Sequence, residues 1–247
     1  MRTANPALGA DTFTGYGRVA PAEAMTIQGT ANKALLLTLC VLLTAGWVWS
    51  LFFQSRNPAV VMPWLLGGTI GGLVVALVTI FKKEWAGITA PLYALLEGLA
   101  IGGISAVFEA QFPGIVIQAV ALTFGTCLAL LLAYKSRLIR ATENFKLGVV
   151  AATGGIALFY LITFILSFFG VRVSIFYSSG WMGIGFSLFV CVIAALNLVL
   201  DFDFIEQGAA QGAPKYMEWY GAFGLMVTLI WLYLEILRLL AKLRSRD

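Results

Sequence analysis

Seven long apolar segments, each about the length that a helix needs to cross a bilayer, constrain this chain more than any other feature. The hydrocarbon core of a bilayer is crossed by on the order of 20 apolar residues in helical conformation. No segment alternates apolar and polar residues with a period of two, as a barrel strand does, so each is predicted to be a helix. The segments cover about 34–53, 59–81, 85–108, 113–134, 147–169, 181–203 and 222–241.

The composition indicates a lipid environment for these segments. Charged residues make up only 11% of the chain and hydrophobic residues 60%, whereas about a quarter of the residues in a soluble domain are charged. We therefore predict an all-α, polytopic membrane protein: a seven-helix transmembrane bundle over residues 34–241, with a flexible polar arm at 1–33 and a basic tail at 242–247. The net charge is +4, and the basic residues lie in short loops and the tail. The expected partner is therefore the lipid bilayer and not nucleic acid.

The chain contains no histidine, which removes the commonest general base and the usual zinc ligand. A serine hydrolase triad is therefore not expected. The Gly-x-Gly-Asp motif of intramembrane aspartyl proteases is also absent from the sequence. The cysteines fall inside apolar segments, which favours packing over disulfides. We expect neither an enzyme nor a bound cofactor.

The distribution of lysine and arginine predicts a cytoplasmic N-terminus. These residues concentrate in the arm and in the second, fourth and sixth joints, whereas the opposite loops hold only Arg56 and Arg172. Positive loops favour the cytoplasmic side. The C-terminal end conflicts with this rule, because its basic residues would lie outside if all seven segments cross. Either the tail crosses despite its charge or the seventh segment enters and returns, which surrounding protein permits.

Glycines recur at four-residue intervals in the second and third segments. This spacing places small residues on one face of a helix and lets two backbones approach closely. Packing within the chain is the commoner role of this motif, and dimerisation is the rarer one. The pairs are Gly67 with Gly71, Gly68 with Gly72, and Gly98 with Gly102.

Two acidic residues lie deep in predicted membrane segments. Glu97 is about twelve residues into the third segment and Glu235 about thirteen into the seventh, which places both near the bilayer midplane at about 1.5 Å per residue. An ionisable group there costs roughly 2.5–3.5 kcal/mol on insertion scales, so it faces a partner or a water-filled cavity. Each also has a structural explanation: Arg238 can neutralise Glu235 from the same helix face, and Glu97 can stay protonated and hydrogen-bonded. The neutral polar residue Asn197 is interpreted as an interhelical hydrogen bond.

A carboxylate cluster ends the sixth segment, in the stretch ALNLVLDFDFIEQGAAQG. Asp201, Asp203 and Glu206 follow one another closely, about where a helix that began near residue 181 should leave the membrane. A solvated helix end explains Asp203 and Glu206. Asp201 is the deepest of the three, and the local sequence leaves both an ordinary helix end and an ion or proton site open for it.

The order of these motifs resembles the Bax inhibitor-1 family, also called the transmembrane Bax-inhibitor-motif family. The similarity rests on LNLVLDFDFIE in the sixth segment and LYLEILRLL in the seventh, and it covers essentially the whole chain. The arm, MRTANPALGADTFTG, and the third segment, KKEWAGITAPLYALLEGLAIGGISAVFE, are similar to the bacterial branch in particular. The resemblance implies a seven-helix fold in a bacterial inner (plasma) membrane.

The resemblance also implies a calcium leak that pH controls through acids on the sixth and seventh helices. Asp201 takes the sixth-helix position, with Asp203 as the alternative, and Glu235 takes the seventh, where the family usually has aspartate. Asp201 and Glu235 are also the implied calcium ligands. The family's basic partner near the end of the second helix corresponds to Lys82 or Lys83, neither of which reproduces the bidentate contact of an arginine.

A pair of buried carboxyls has a simple response to pH. The two groups cannot both ionise cheaply, so a proton held between them would close the path, and its loss would open the path or admit calcium. Acidic pH is therefore expected to close the leak. The spacing presents a difficulty, because straight helices would put Asp201 at the membrane edge and Glu235 about 20 Å inward. Contact requires the sixth helix to continue past Asp201 and residues 214–221 to lie partly outside the seventh span.

Two other classes of function stay open at the level of sequence. A proton-coupled secondary transporter would use Glu97, Asp201 and Glu235 as relay groups, although the sequence shows no convincing inverted repeat. A non-transporting membrane protein that regulates proteolysis or a stress response would hold these acids for structural reasons. Flux through purified protein in liposomes separates the first two classes from the third, and proton counterflow separates a transporter from a leak.

Overall fold

The computed structural model describes residues 23–170 and 180–245, and α-helices account for most of them. The described part contains no β-strand, only an isolated bridge between Ala24 and Pro214. Seven helices in this part are long and apolar enough to cross a membrane, which confirms the predicted all-α, seven-helix fold. The helices are α1 (Ile27–Ser55), α2 (Pro58–Phe81), α3 (Ala86–Gln111), α4 (Ile115–Lys135), α5 (Glu143–Phe168), α6 (Trp181–Ala210) and α7 (Met217–Arg244).

Several helices extend beyond the apolar segments from which they were predicted. α1 begins at Ile27, inside the predicted polar arm, of which residues 1–22 lie outside the described residues. α6 continues to Ala210, and α7 begins at Met217 and ends at Arg244, inside the predicted tail. Hydropathy locates the part of a helix that lies in hydrocarbon, and it does not detect polar turns that continue the same helix.

Polar side chains cap the N-termini of several of these helices. At the start of α1, the hydroxyl of Thr26 accepts a hydrogen bond from the backbone N–H of Gly29 at 2.9 Å. At the start of α2, the side chain of Asn57 accepts one from the N–H of Ala59 at 2.9 Å. Thr142 caps α5 in the same way. Such caps satisfy backbone donors that the first helical turn leaves without a partner.

The described chain divides into two compact units. The N-terminal unit comprises residues 23–113 and 203–227, and the C-terminal unit comprises residues 114–170, 180–202 and 228–245. α1, α2 and α3 belong to the N-terminal unit, and α4 and α5 belong to the C-terminal unit. α6 and α7 each contribute to both.

In the N-terminal unit, glycines bring α3 close to α1 and α2. A Cβ atom placed on Gly98 would lie 2.5 Å from the carbonyl oxygen of Val41 in α1, and one placed on Gly68 would lie 2.5 Å from that of Leu96 in α3. Both distances are shorter than a real carbon contact, so only glycine lets these backbones approach. Gly68 and Gly98 therefore pack helices of the same chain, as predicted for the spaced glycines, whereas a Cβ atom placed on Gly67 would meet nothing within 4 Å.

In the C-terminal unit, an apolar cluster joins α5, α6 and α7. Ile156 of α5 and Val190 of α6 are buried in it, and Trp231 of α7 packs against them. Asn197 in α6 donates a hydrogen bond to the hydroxyl of Thr153 in α5 at 2.9 Å. The predicted interhelical role of Asn197 is confirmed.

Large apolar side chains cover much of the outer faces of the helices. Leu43 of α1, Ile70 of α2 and Phe164 of α5 are 72%, 63% and 61% exposed. Water would penalise such contiguous apolar faces, whereas hydrocarbon does not. The protein therefore contacts the lipid of a bilayer as a multi-pass membrane protein.

Candidate functional site

Glu235 lies in a buried polar cluster of the C-terminal unit, together with Tyr160 and Arg238. Its carboxylate accepts a hydrogen bond from the Tyr160 hydroxyl of α5 at 2.9 Å, and two from the guanidinium of Arg238, one turn later in α7, at 2.9 and 3.0 Å. Arg238 also donates to the Tyr160 oxygen at 3.1 Å. Glu235 is 2% exposed and the Arg238 side chain 32%. The guanidinium therefore balances a carboxylate charge that burial alone would penalise.

Lys242 adds a second cation on the same face of α7. It follows Arg238 by four residues, and side chains at this spacing lie on one face of a helix. Its buried ammonium donates hydrogen bonds to the hydroxyl of Ser187 at 2.9 Å and to the carbonyl of Gly183 at 3.1 Å, both in α6. The charges of Glu235 and Arg238 also act on this ammonium. Because both of its acceptors are neutral, Lys242 makes this end of α7 positive.

The acids near the end of α6 differ in their burial. Asp201 is fully buried, Asp203 is half-buried and accepts a hydrogen bond from Gln207, and Glu206 is exposed. α6 continues to Ala210, about two turns beyond Asp201. A helix end that meets water therefore explains Glu206 but does not explain Asp201.

Contacts between α6 and α7 place Asp201 and Glu235 at different depths. The chain reverses in a short joint between these helices, and Lys242 near the end of α7 meets Ser187 near the beginning of α6. Measured from that contact at about 1.5 Å per residue, Glu235 lies about 10 Å along α7 and Asp201 about 21 Å along α6. A proton shared directly by the two carboxyls would require a different arrangement of α6 and α7.

The other predicted site residues lie in the N-terminal unit. Glu97 is half-buried in α3, and its carboxylate lies against Gly72 of α2, where an added Cβ would be 2.6 Å from Oε2. The Lys83 ammonium lies 5.8 Å from the ring centroid of Tyr220, and Lys82 is exposed at the end of α2. Of the three predicted basic partners, Arg238 is therefore the one that the structure brings to the α7 acid.

A buried acid at the start of α7 was not predicted from the sequence. Glu218 is fully buried and accepts hydrogen bonds from the backbone N–H and the hydroxyl of Thr26, at 2.9 and 2.8 Å. Lys33 and Lys215 form ion pairs with it, and a side chain on Gly29 would overlap its carboxylate. The spacing of Lys215 and Glu218 signals only one of these contacts, because the other partners are far away in the sequence.

Replacing Glu218 with glutamine should loosen the contact between the starts of α1 and α7. The substitution removes two ion pairs and a charged acceptor, and hydrogen bonds to charged groups contribute about 1.5–3 kcal/mol each. The side chains of Lys33 and Lys215 are 19% and 53% exposed and can turn to water, so we expect a net loss of about 1–3 kcal/mol. Thermal unfolding of the purified protein measures this loss. Glu84→Gln, at an exposed acid of the same unit, is the control, and an equal loss in both variants would contradict the expectation.

The comparisons with known proteins identify a family. A family model described as Bax inhibitor 1 like matches residues 5–245, nearly the whole chain. Neither the comparison with curated proteins nor the comparison with solved structures gave a match.

Proposed function

This chain belongs to the Bax inhibitor-1-like family, and we propose that it is a membrane leak for calcium ions whose flux depends on the protonation of Glu235 and Asp201. The observation that carries the proposal is the environment of Glu235. This carboxylate is 2% exposed in a membrane-length helix, is neutralised by Arg238 and accepts a hydrogen bond from Tyr160 of another helix. Ionisable residues within membrane segments are rare, and they mark ion and proton pathways.

The carboxylate of Glu235 has two competing cationic partners under this proposal. In the arrangement described here Arg238 occupies both of its oxygens, which leaves no free oxygen pair for a metal ion. A calcium ion that displaces the guanidinium would bind these oxygens, because calcium prefers carboxylate and carbonyl ligands and tolerates irregular geometry. The Tyr160 hydroxyl remains to orient the carboxylate when Arg238 moves away.

Asp201 provides a second negative site at a different depth. Because the two carboxyls are about 10 Å apart along the helix axes, each takes up its own proton, and a calcium ion passes from one to the other instead of binding both at once. No group of three or more acids, cysteines or histidines in the described residues is placed to hold a metal ion. Two separate carboxylates favour the weak, brief binding that a leak needs over tight storage of the ion.

Protonation sets the direction of the pH response. A carboxyl that takes up a proton no longer attracts a cation, so acidic pH lowers calcium flux and alkaline pH raises it.

The resemblance of the arm and third helix to the bacterial branch supports a bacterial plasma membrane, and the lysine and arginine distribution supports a cytoplasmic N-terminus.

The test is calcium entry into liposomes that contain the purified protein and a trapped calcium indicator. We expect the initial rate to rise severalfold from mildly acidic to mildly alkaline pH, without stoichiometric proton counterflow on a trapped pH indicator. Proton movement in fixed ratio to calcium would instead indicate a coupled transporter. No flux above that of protein-free liposomes at any pH would indicate a non-transporting membrane protein.

A further inference from the structure

We propose that Glu97 is a protonated carboxyl in the interior of the membrane, separate from the Glu235 cluster, and that it is the site at which a hydrophobic carbodiimide modifies this chain. The proposal rests on the packing of the N-terminal unit and does not depend on calcium flux. It assigns Glu97 a proton-binding role that the leak described above does not require.

The position of Glu97 keeps its carboxyl far from bulk water. Counted from the start of α3 at Ala86, it is about 16 Å along the helix, about half the thickness of a hydrocarbon core of roughly 30 Å. Its contact in α2, Gly72, is about 21 Å from the start of that helix at Pro58. Both helices therefore place the contact well inside the membrane.

The surroundings of Glu97 provide no counter-charge. α2 carries no ionisable side chain, and α1 carries only Cys40 between residues 34 and 55. On α3 itself, the Tyr93 phenol one turn earlier is the titratable group that interacts with Glu97. Within the described ranges, no ion pair or hydrogen bond reaches the Glu97 carboxylate.

Two fully buried glutamates differ from Glu97 in this respect. Glu235 has the guanidinium of Arg238, and Glu218 has the ammonium groups of Lys33 and Lys215. An ionised carboxylate at the depth of Glu97 would have no cation in contact, which is costly in a low-dielectric medium. The protonated form avoids this cost. Because Gly72 has no side chain, there is space beside it for the Glu97 carboxyl.

The chemistry of carbodiimides distinguishes these states. The carboxyl oxygen bonds to the central carbon of the reagent while the carboxyl proton moves to one of its nitrogens, which gives an O-acylisourea. Where water is excluded, the acyl group then migrates to the neighbouring nitrogen, and the stable N-acylurea retains every atom of the reagent. Since the first step consumes the carboxyl proton, Glu235 should react poorly at alkaline pH, where its carboxylate is ionised and paired with Arg238. Asp201 is fully buried, whereas Glu97 is only half-buried, so a reagent that partitions into the membrane should reach Glu97 more readily.

The experiment treats the full chain in liposomes with dicyclohexylcarbodiimide at mildly alkaline pH and locates the adduct by peptide mass spectrometry. We expect the main adduct on Glu97, its loss in Glu97→Gln and its persistence in Glu235→Gln. A water-soluble carbodiimide should modify exposed acids such as Glu84 and Glu206 and spare Glu97.

Three results would overturn the proposal: a main adduct on Glu235 or Asp201, no adduct on Glu97 in protein that still unfolds cooperatively, or equal modification of Glu97 by the water-soluble reagent. Labelling needs no ion flux, so a protein that conducts no calcium can still carry the adduct. Failure of the leak and failure of this proposal are therefore separate outcomes.

Discussion

Glu235→Gln should remove most of the pH dependence of calcium flux. The substitution keeps the size of the side chain and its hydrogen bond with Tyr160 but abolishes the charge that attracts calcium. Arg238→Gln should have the opposite effect at a given pH and raise the flux severalfold, because the carboxylate loses the guanidinium that competes with the ion. This opposition of two neighbours on one helix is the result that a purely structural ion pair does not predict.

The free energy of unfolding provides an independent test of the Glu235–Arg238 ion pair. Removing one partner of a buried ion pair costs about 3–5 kcal/mol. The Arg238 side chain is 32% exposed and can reach polar surroundings, so we expect a loss of about 1–3 kcal/mol for Glu235→Gln. The double variant Glu235→Gln/Arg238→Gln should recover much of this stability, while its flux keeps only the weak pH dependence that Asp201 provides.

These variants are measured by calcium entry into liposomes across a pH series and by thermal unfolding in detergent. Asp201→Asn should weaken the pH dependence as a second site, and Glu206→Gln, at an exposed acid of the same helix, should leave it unchanged. If Arg238→Gln lowered the flux as Glu235→Gln does, Arg238 would be part of the conducting arrangement and not a competitor of the ion.

Hydropathy and residue spacing were sufficient to predict the helices and part of their packing. Each segment contains enough apolar residues to cross a bilayer, and helices are favoured there because lipid offers no hydrogen bonds to the backbone. The contact of Gly98 with α1 could be predicted for the same kind of reason, since a small residue on every fourth position leaves a flat face. These signals are local, and the sequence contains them in full.

The burial of Asp201 could not be predicted in this way, and straight spans of equal depth overestimate its axial separation from Glu235, at about 20 Å instead of about 10 Å. Apolar residues end near Asp201, so the pattern suggests a helix end, but α6 continues in polar turns to Ala210. The depth of Glu235 relative to Asp201 depends on the register of α7 against α6, which the Lys242–Ser187 contact reports. The resemblance to a family indicates which residues correspond, and it does not indicate how far apart they lie in this chain.

Gly68→Leu should unfold or severely destabilise the protein, whereas Gly67→Leu should not. A side chain at 68 would meet backbone atoms of α3, the Leu96 carbonyl oxygen at 2.5 Å and the Ala100 nitrogen at 2.8 Å, whereas nothing lies within 4 Å of one at 67. Backbone cannot move aside as a flexible side chain can, so we expect Gly68→Leu to lose about 3 kcal/mol or more. Gly67→Leu should be neutral or gain up to about 1 kcal/mol, because glycine is a poor helix former.

The two glycine variants are compared by unfolding in detergent and by size-exclusion chromatography. Their equal composition and adjacent positions make each the control for the other, so any difference reflects the α2–α3 contact. Gly72 lies one turn beyond Gly68 on the same face of α2, so separating these helices should also release Glu97 from its position against Gly72. In any folded fraction of Gly68→Leu, Glu97 should then become reactive to the water-soluble carbodiimide. If both variants unfolded alike, or if Glu97 stayed unreactive to the water-soluble carbodiimide in both, the inferred close approach of α2 and α3 at Gly68 would be contradicted.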